Sequence, residues 1–224
     1  MINFNAHILD DNILHLEFNN IRDQTITLFR PSEYYESPHP NINGKMFSYE
    51  DFLLTYIRPN GEITYFKDWP AFNIPGHVFS EFWEKFDNVS SAEGQVYDLI
   101  KSNINMKKPY YIISNLVGDK GGYEHELAHA IYYLDEQYKI DMDNELKNVS
   151  SKIMKKLYKG LTKIGYPMNI QHIVDDEAQS WLATSHKNDF DIEFNFTMEE
   201  IGETHKKFKK IFKQYSKQIK SKKI

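Results

Sequence analysis

Residues 123–138 read YEHELAHAIYYLDEQY, and the interpretation of the whole chain starts from this stretch. Its apolar residues recur at three- and four-residue intervals, which predicts one unbroken helix from Tyr123 to Tyr138. The apolar stripe of this helix consists of Leu127, Ala130, Ile131, Leu134 and Tyr138. At about 100° per residue, His125 and His129 fall on the opposite side of the helix. The pattern therefore predicts that the stripe packs into the core and that both histidines face a surface or cleft.

The spacing of these two histidines is typical of a zinc hydrolase. Residues four apart stand one turn apart on the same helical face, so both imidazoles can converge on one tetrahedral ion. Glu126, between them, can then reach a metal-bound water. One alternative is that the histidines are core residues whose hydrogen bonds are made inside the protein. Their outward direction argues against it. The other is a solvated polar face with two histidines by coincidence, and the uncharged residues around the motif favour a metal site over it.

A zinc site of this kind needs a third protein ligand. Asp135 is excluded, because a continuous helix carries it about 9 Å along the axis from the second histidine. The helix predicted at residues 172–185 offers Asp175 and Glu177 beside its apolar stripe, whereas Asp176 is expected to point away. Periodicity does not choose between Asp175 and Glu177. The run is also consistent with an acidic first turn that complements the helix dipole.

With these residues the chain resembles the HExxH zinc metallopeptidases, or zincins, and among them the gluzincin-like arrangement, in which a glutamate from a downstream helix is the third ligand. The resemblance rests on GGYEHELAHA at 121–130 and on Glu177 in DDEAQ, and it covers about residues 109–186. The chain is also similar to small uncharacterised bacterial and phage proteins with an EHELAHA helix and a later DE-x-Q segment. It departs from the gluzincins at Trp181, where they carry an aspartate, so no second carboxylate is identified.

The resemblance implies a zinc-dependent peptidase. His125, His129 and Glu177 would hold Zn²⁺, which lowers the pKa of a bound water and polarises the scissile carbonyl. Glu126 would act as general base and pass the proton to the leaving amine.

The resemblance also implies a second donor to the oxyanion and an edge strand that binds substrate. Tyr166, His172 and His186 are the candidate donors, and we predict that Tyr166 takes this role. Packing or helix capping is the alternative role for each of them. Residues 110–114 resemble the strand to which zincins add an extended peptide, and an ordinary buried strand is the equal alternative.

Hydrophobic periodicity predicts an α+β fold. Residues 1–75 are expected to form an antiparallel β-rich N-terminal portion, and residues 76–224 a mainly helical, zincin-like catalytic portion that ends in a basic helix. The predicted strands are 2–8, 13–18, 25–29 and 109–114, with a hairpin at 54–66 that turns at Asn60-Gly61 and a surface loop at 31–45. The predicted helices are 75–86, one capped at 88–91, 143–164, 172–185 and 198–218, with a stop at Gly165-Tyr-Pro167.

Composition narrows the function classes. The chain has 224 residues and no cysteine, so disulfides and thiolate metal sites are excluded, and a metal site must use imidazole and carboxylate. Neither a signal peptide nor an apolar membrane span is recognisable, and we expect a cytoplasmic protein without membrane contact. The expected partner is a peptide or protein substrate.

Charge distribution leaves two alternatives to a peptidase. The net charge is −5, yet residues 204–224 hold nine lysines and no acidic residue. The first alternative is a protein that binds a membrane or nucleic acid through this basic helix. The apolar stripe of the segment is expected to dock on the acidic body of the protein, and this argues against the first alternative. The second alternative is a catalytically inactive zincin fold that serves as a binding or regulatory module. The presence of Glu126 argues against it.

Overall fold

The computed structural model describes residues 2–57, 60–166, 168 and 170–224. The chain folds into two compact units, Met1–Tyr123 together with Lys220–Ile224, and Glu124–Ile219. The α+β class predicted from the sequence is confirmed, since the first unit contains a five-stranded sheet and helices predominate in the rest of the chain. The division expected near residue 75 lies inside the first unit, at the end of a strand.

The first unit contains all five strands of the described residues. Its elements are β1 (Phe4–Leu9), β2 (Ile13–Phe18), α1 (Ile21–Glu36), α2 (Tyr49–Tyr56), α3 (Tyr65–Asp68), β3 (Phe72–Pro75), α4 (Gly76–Lys85), α5 (Ser91–Asn103) and β4 (Tyr111–Leu116). Helix α6 (Lys120–Leu134) starts in the first unit and continues into the second. The second unit then consists of α7 (Glu136–Asn148), α8 (Ser151–Ile164), α9 (Gln171–Thr184), α10 (Lys187–Phe194) and α11 (Met198–Ser216). The short strand β5 (Ser221–Lys223) returns to the sheet.

The sheet is mixed, with strand order β3-β4-β2-β1-β5. β1 and β2 form the expected antiparallel hairpin, and its turn places Asp10 and Asp11 at positive φ, which aspartate tolerates better than most residues. β2 and β4 pair in parallel, with Leu16 opposite Ser114, so the sheet is not antiparallel throughout. β4 lies between β2 and β3, and the interpretation of residues 110–114 as an exposed edge strand is therefore wrong.

The two faces of the sheet differ sharply in polarity. Because side chains alternate along a strand, one face presents Ala6, Ile8, Leu14, Leu16 and Ile112 to the apolar core of the first unit. The opposite face carries the polar side chains of His7, His15, Glu17 and Asn115 next to the buried apolar side chains of Leu9, Ile13 and Ile113. This second face is called the polar sheet face below.

The strand predicted at 25–29 and the loop predicted at 31–45 are wrong over most of α1. The helix begins at the cap Asn20, whose side chain accepts a hydrogen bond from the Asp23 amide at 2.9 Å, and it continues through Pro31. Proline normally ends a helix because it lacks an N–H. Here burial on both sides of Pro31 outweighs that loss, since Arg30 donates to the buried Glu93 carboxylate at 2.8 Å and Tyr34 is in the core.

The hairpin predicted at 54–66 is also wrong. A capping box between Ser48 and Asp51 starts α2, which runs to Tyr56, and α3 covers Tyr65–Asp68. Residues 54–56 and 65–66 are thus helical, residues 57 and 60–64 form no strand, and residues 58 and 59 lie outside the described residues. Aromatic packing explains the difference, because Phe52, Tyr56 and Tyr65 form a cluster with ring centroids 4.8–5.7 Å apart.

The helices predicted at 75–86, after 88–91, at 172–185 and at 198–218 are confirmed within a few residues as α4, α5, α9 and α11. The helix predicted at 123–138 is interrupted at Asp135, whose side chain caps α7 by accepting from the Tyr138 amide at 2.9 Å. The helix predicted at 143–164 is likewise interrupted, by the cap Ser150. α8 ends at Gly165, with φ 108°, whereas Pro167 lies outside the described residues.

The C-terminal helix buries its apolar side, as the sequence predicts. Ile201, Phe208 and Phe212 of α11 are buried, and the helix packs against α7 and α9. Within the described ranges, no helix is both long and apolar enough to cross a lipid bilayer.

Two glycines in helices of the second unit provide a matched test of this packing. A Cβ on Gly160 would lie 2.2 Å from a ring carbon of Phe194, whereas a Cβ on Gly202 would meet only Met198, at 3.7 Å. We expect Gly160→Ala to lower the free energy of unfolding by about 1–3 kcal/mol through overpacking. Gly202→Ala should raise it by about 0.5–1 kcal/mol, because alanine favours the helix. Urea unfolding followed by circular dichroism measures both; equal effects of the two substitutions would contradict the close packing of α8 against α10.

Candidate functional site

Three potential metal ligands converge inside the second unit, from α6 and α9. They are His125, His129 and Glu177. The Nε2 atoms of the two rings are 3.2 Å apart. One oxygen of Glu177 lies 3.5 Å from His129 Nε2, and the other lies 3.7 Å from His125 Nε2. Among the described residues this is the one group of three such donors close enough to hold a metal ion.

The separations of the donor atoms fit a tetrahedral zinc ion. Zinc binds imidazole nitrogen and carboxylate oxygen at about 2.0–2.2 Å, so two ligands of a tetrahedral ion stand roughly 3.3–3.6 Å apart. The two nitrogens are 3.2 Å apart, and each lies 3.5 or 3.7 Å from a different oxygen of the Glu177 carboxylate, so the distances are close to that value. Moreover, Oε2 of Glu177 is buried and accepts no hydrogen bond from the described residues. A buried carboxylate oxygen without a partner is costly, and a cation would satisfy it.

The outer nitrogen of each ring has its own partner. His129 Nδ1 lies 2.8 Å from Asp176 Oδ1, a contact that does not have hydrogen-bond geometry, but the negative charge of Asp176 favours a proton on Nδ1. His125 Nδ1 lies 3.3 Å from Thr184 Oγ1. The Thr184 hydroxyl already donates to the Ser180 carbonyl at 2.7 Å, so its oxygen is left to accept from His125. When the rings are neutral, both Nε2 lone pairs therefore point into the space between them and Glu177.

The carboxylate that supports His129 is itself held by buried groups. Gln179 Nε2 donates to Asp176 Oδ1 at 3.0 Å, and the buried Tyr138 hydroxyl donates to Gln179 Oε1 at 3.1 Å. Gln179 and Tyr138 are fully buried. The hydrogen bonds that connect Tyr138, Gln179 and Asp176 fix the orientation of the His129 imidazole, although none of these three residues belongs to the ligand group.

Electrostatics in this group favour a positive charge. Burial opposes protonation of His129, but the negative charges of Asp176 and Glu177 outweigh it and raise the pKa of His129 to about 10. Burial likewise opposes ionisation of Glu177, yet His129, His125 and the Tyr166 hydroxyl together lower the pKa of this carboxyl. The space between the imidazoles and the carboxylate thus attracts a cation, which a proton or a metal ion can supply.

The structure places the remaining predicted residues at different distances from this group. Glu126 is only 6% exposed, and its charge acts on His129. Tyr166 interacts with Glu177. His172 and His186 are exposed, and the backbone N–H of His186 donates to Asp189 at the start of α10.

Two predictions about the direction in which side chains point are wrong. His129 is 1% exposed and does not face outward, because every residue of α6 from Glu126 to Tyr132 is buried and this part of the helix has no solvent side. Asp176 does not point away from the site, since it contacts His129. Of the two carboxylates that periodicity left open, Glu177 joins the ligand group, while Asp175 accepts a hydrogen bond from Gln171 at 2.8 Å.

Two residues of α9 that contact His125 were not predicted from the sequence, although the helical period could have indicated one of them. Thr184 lies seven residues after Glu177, on the same face of α9, and a search for hydroxyls at that spacing would have found it. Trp181 lies one turn after Glu177, and its ring packs edge-on against His125 with centroids 5.1 Å apart. At the position where the gluzincin pattern has an aspartate, the protein thus has an apolar wall for the first imidazole.

Comparison with protein-family models, curated proteins and solved structures finds no match to this chain.

Proposed function

We propose that the protein is a zinc-dependent peptidase in which His125, His129 and Glu177 hold the ion and Glu126 is the general base. One observation carries this proposal: the ligand atoms of the two imidazoles and of the Glu177 carboxylate lie within 4.8 Å of one another, with a carboxylate and a hydroxyl behind the two rings. Two imidazoles and one carboxylate are a ligand set that favours zinc over magnesium or calcium, which prefer oxygen ligands alone.

The number of ligands supports a catalytic role over a structural one. Structural zinc sites have four protein ligands, whereas catalytic sites have three and leave one position for water. The described residues supply three. Bound zinc would lower the pKa of a coordinated water to about 7 and polarise the carbonyl of a substrate.

The chain's own residues perform the proton transfers. The Glu126 carboxylate follows His125 directly, is buried beside the ligand group, and takes the proton from the attacking water. It then gives that proton to the nitrogen of the departing amine, which breaks the peptide bond. Tyr166, beside Glu177, supplies a hydroxyl that can donate to the developing oxyanion.

An inactive zincin fold that only binds a partner is the alternative to this proposal. It needs the zinc ligands but gives Glu126 no task. The Glu126 carboxylate lies close enough to the ligand group for its charge to act on His129, and this position favours catalysis.

The first prediction concerns the ligand set. We expect wild-type protein to contain zinc at one equivalent per chain, and Glu177→Gln to lose most of it, because the amide carries no negative charge. Asp175→Asn, two residues earlier on the same helix and outside the ligand group, is the matched control and should retain full zinc. Native mass spectrometry after dialysis measures all three proteins. Equal zinc in the Glu177→Gln and Asp175→Asn variants would refute Glu177 as a ligand.

The second prediction concerns the carboxylate behind His129. Asp176→Asn should weaken zinc binding about 10–100-fold, since such partners orient the ring and increase its basicity. Competition with a chromophoric chelator measures this affinity. The fold should be intact by circular dichroism, and an unchanged affinity would show that Asp176 does not support the site.

The third prediction separates catalysis from metal binding. Glu126→Gln should keep its zinc but lose peptide cleavage by at least about a hundredfold, the usual contribution of a general base. Glu124→Gln, two residues earlier on α6, is the control and should cleave normally. A peptide library read by mass spectrometry gives the activity. Full zinc without cleavage in the wild type would favour the binding module, and absence of zinc would refute both functions.

A further inference from the structure

A second candidate site lies in the first unit, on the polar sheet face. It is a cleft of about 300 Å³ at the end of the parallel pair β2 and β4, where the chain turns into α6. The side chains that matter for its chemistry are His7, His15, Glu17, Asn115, Asp119 and Lys120. Ligands of sheets with parallel strands commonly bind beyond the carboxyl ends of those strands.

The hydrogen bonds of His15 identify the tautomer of its ring. The amide nitrogen of Asn115 donates to the carbonyls of Leu116 and Asp119, at 2.8 and 3.1 Å, so its Oδ1 must accept. His15 Nε2 lies 2.6 Å from that oxygen and is therefore the donor. Burial lowers the pKa of His15, which keeps the ring neutral near pH 7. Nδ1 thus carries a lone pair that can accept a hydrogen bond.

Acceptors predominate around this lone pair. The Glu17 carboxylate contacts His7 Nε2 at 3.3 Å and receives no hydrogen bond from the rest of the described chain. Its negative charge acts on His15. Asp119 adds a second carboxylate, one oxygen of which accepts from the Gly122 amide at 2.9 Å. Lys120 is exposed.

Aromatic rings form a wall beside these acceptors. The rings of His7 and His15 stack with centroids 5.5 Å apart, and Tyr123 packs on His15 at 4.8 Å. The ring face of a tyrosine such as Tyr123, next to carboxylates, attracts ammonium groups. A metal ion fits less well, because the donors described in this cleft do not form a group of three within reach of one ion. An anion would have to approach Glu17 and Asp119.

We propose that this cleft binds a small ligand through a protonated primary amine, with the Glu17 carboxylate as counter-charge and His15 Nδ1 as hydrogen-bond acceptor. The ammonium group has three donors, which match the carboxylate, the imidazole lone pair and one further acceptor of the cleft. This site is independent of the proposed zinc centre.

Two amines and their uncharged counterparts test the proposal in the full-length wild-type protein. n-Butylamine and L-leucinamide carry the ammonium group, whereas n-butanol and N-acetyl-L-leucinamide do not. A chelator in the buffer prevents the amines from acting through a metal ion. We expect both amines, and neither counterpart, to shift the imidazole ¹⁵N resonances of His15 in a saturable manner. Shifts of equal size from the neutral compounds, or none from the amines, would overturn the proposal.

A pair of variants tests the residue that carries the charge. Glu17→Gln should weaken amine binding about tenfold or more, the usual effect of losing a charged hydrogen-bond acceptor. Glu50→Gln, at an exposed position of α2 in the same unit, should bind like the wild type. Amine affinity that is unchanged in Glu17→Gln would also overturn the proposal. Should that variant not fold, the comparison of amines with neutral compounds on the wild type decides alone.

Discussion

Glu177 is a carboxylate in the interior of the second unit, 3% exposed, and two imidazoles from another helix stand against it. A negative charge in such a place is stable only if a positive charge lies next to it. That requirement fixes the register of α9 against α6, because a shift of one residue in either helix would leave the carboxylate alone. The surrounding helices α7, α8 and α11 pack around α9 and keep water away from the pair.

Because of the helical period, the face of α9 that carries Glu177 also carries other residues that contact the same imidazole. Glu177, Trp181 and Thr184 recur at four and three residues, so all three side chains reach His125: one as a charge, one as an apolar wall and one as a hydrogen-bond acceptor. Asp176 lies one residue earlier and reaches the other imidazole. A single helix thus provides partners for both inner and outer nitrogens of the two rings, which explains how a short stretch of sequence can build most of the site.

The sequence was informative where a local rule agreed with the packing and misleading where packing overruled it. His125 and His129 could be recognised as candidate ligands from their one-turn spacing. Periodicity reduced the candidates for the third ligand to Asp175 and Glu177, and the resemblance to the gluzincins selected Glu177. The direction of Asp176 could not, because periodicity describes one helix and the partner of Asp176 lies on another. In the same way Pro31 and Asn60-Gly61 are local signals for a loop and a hairpin, but the Arg30–Glu93 ion pair and the aromatic cluster of α2 and α3 are long-range contacts that no local pattern reveals.

The local charge supports the proposal that a metal ion, rather than a proton, is the cation in this site. Three carboxylates surround the two rings, those of Glu126, Asp176 and Glu177, and they are 6%, 18% and 3% exposed. A proton shared by the imidazoles neutralises one negative charge, whereas a divalent ion neutralises two and also engages both Nε2 lone pairs at once. Because uncompensated charge is costly in a site of low dielectric constant, the divalent ion is the better match to this cluster. The same carboxylates explain why the pKa of His129 is raised to about 10, since a proton on this ring supplies part of the positive charge that the cluster requires.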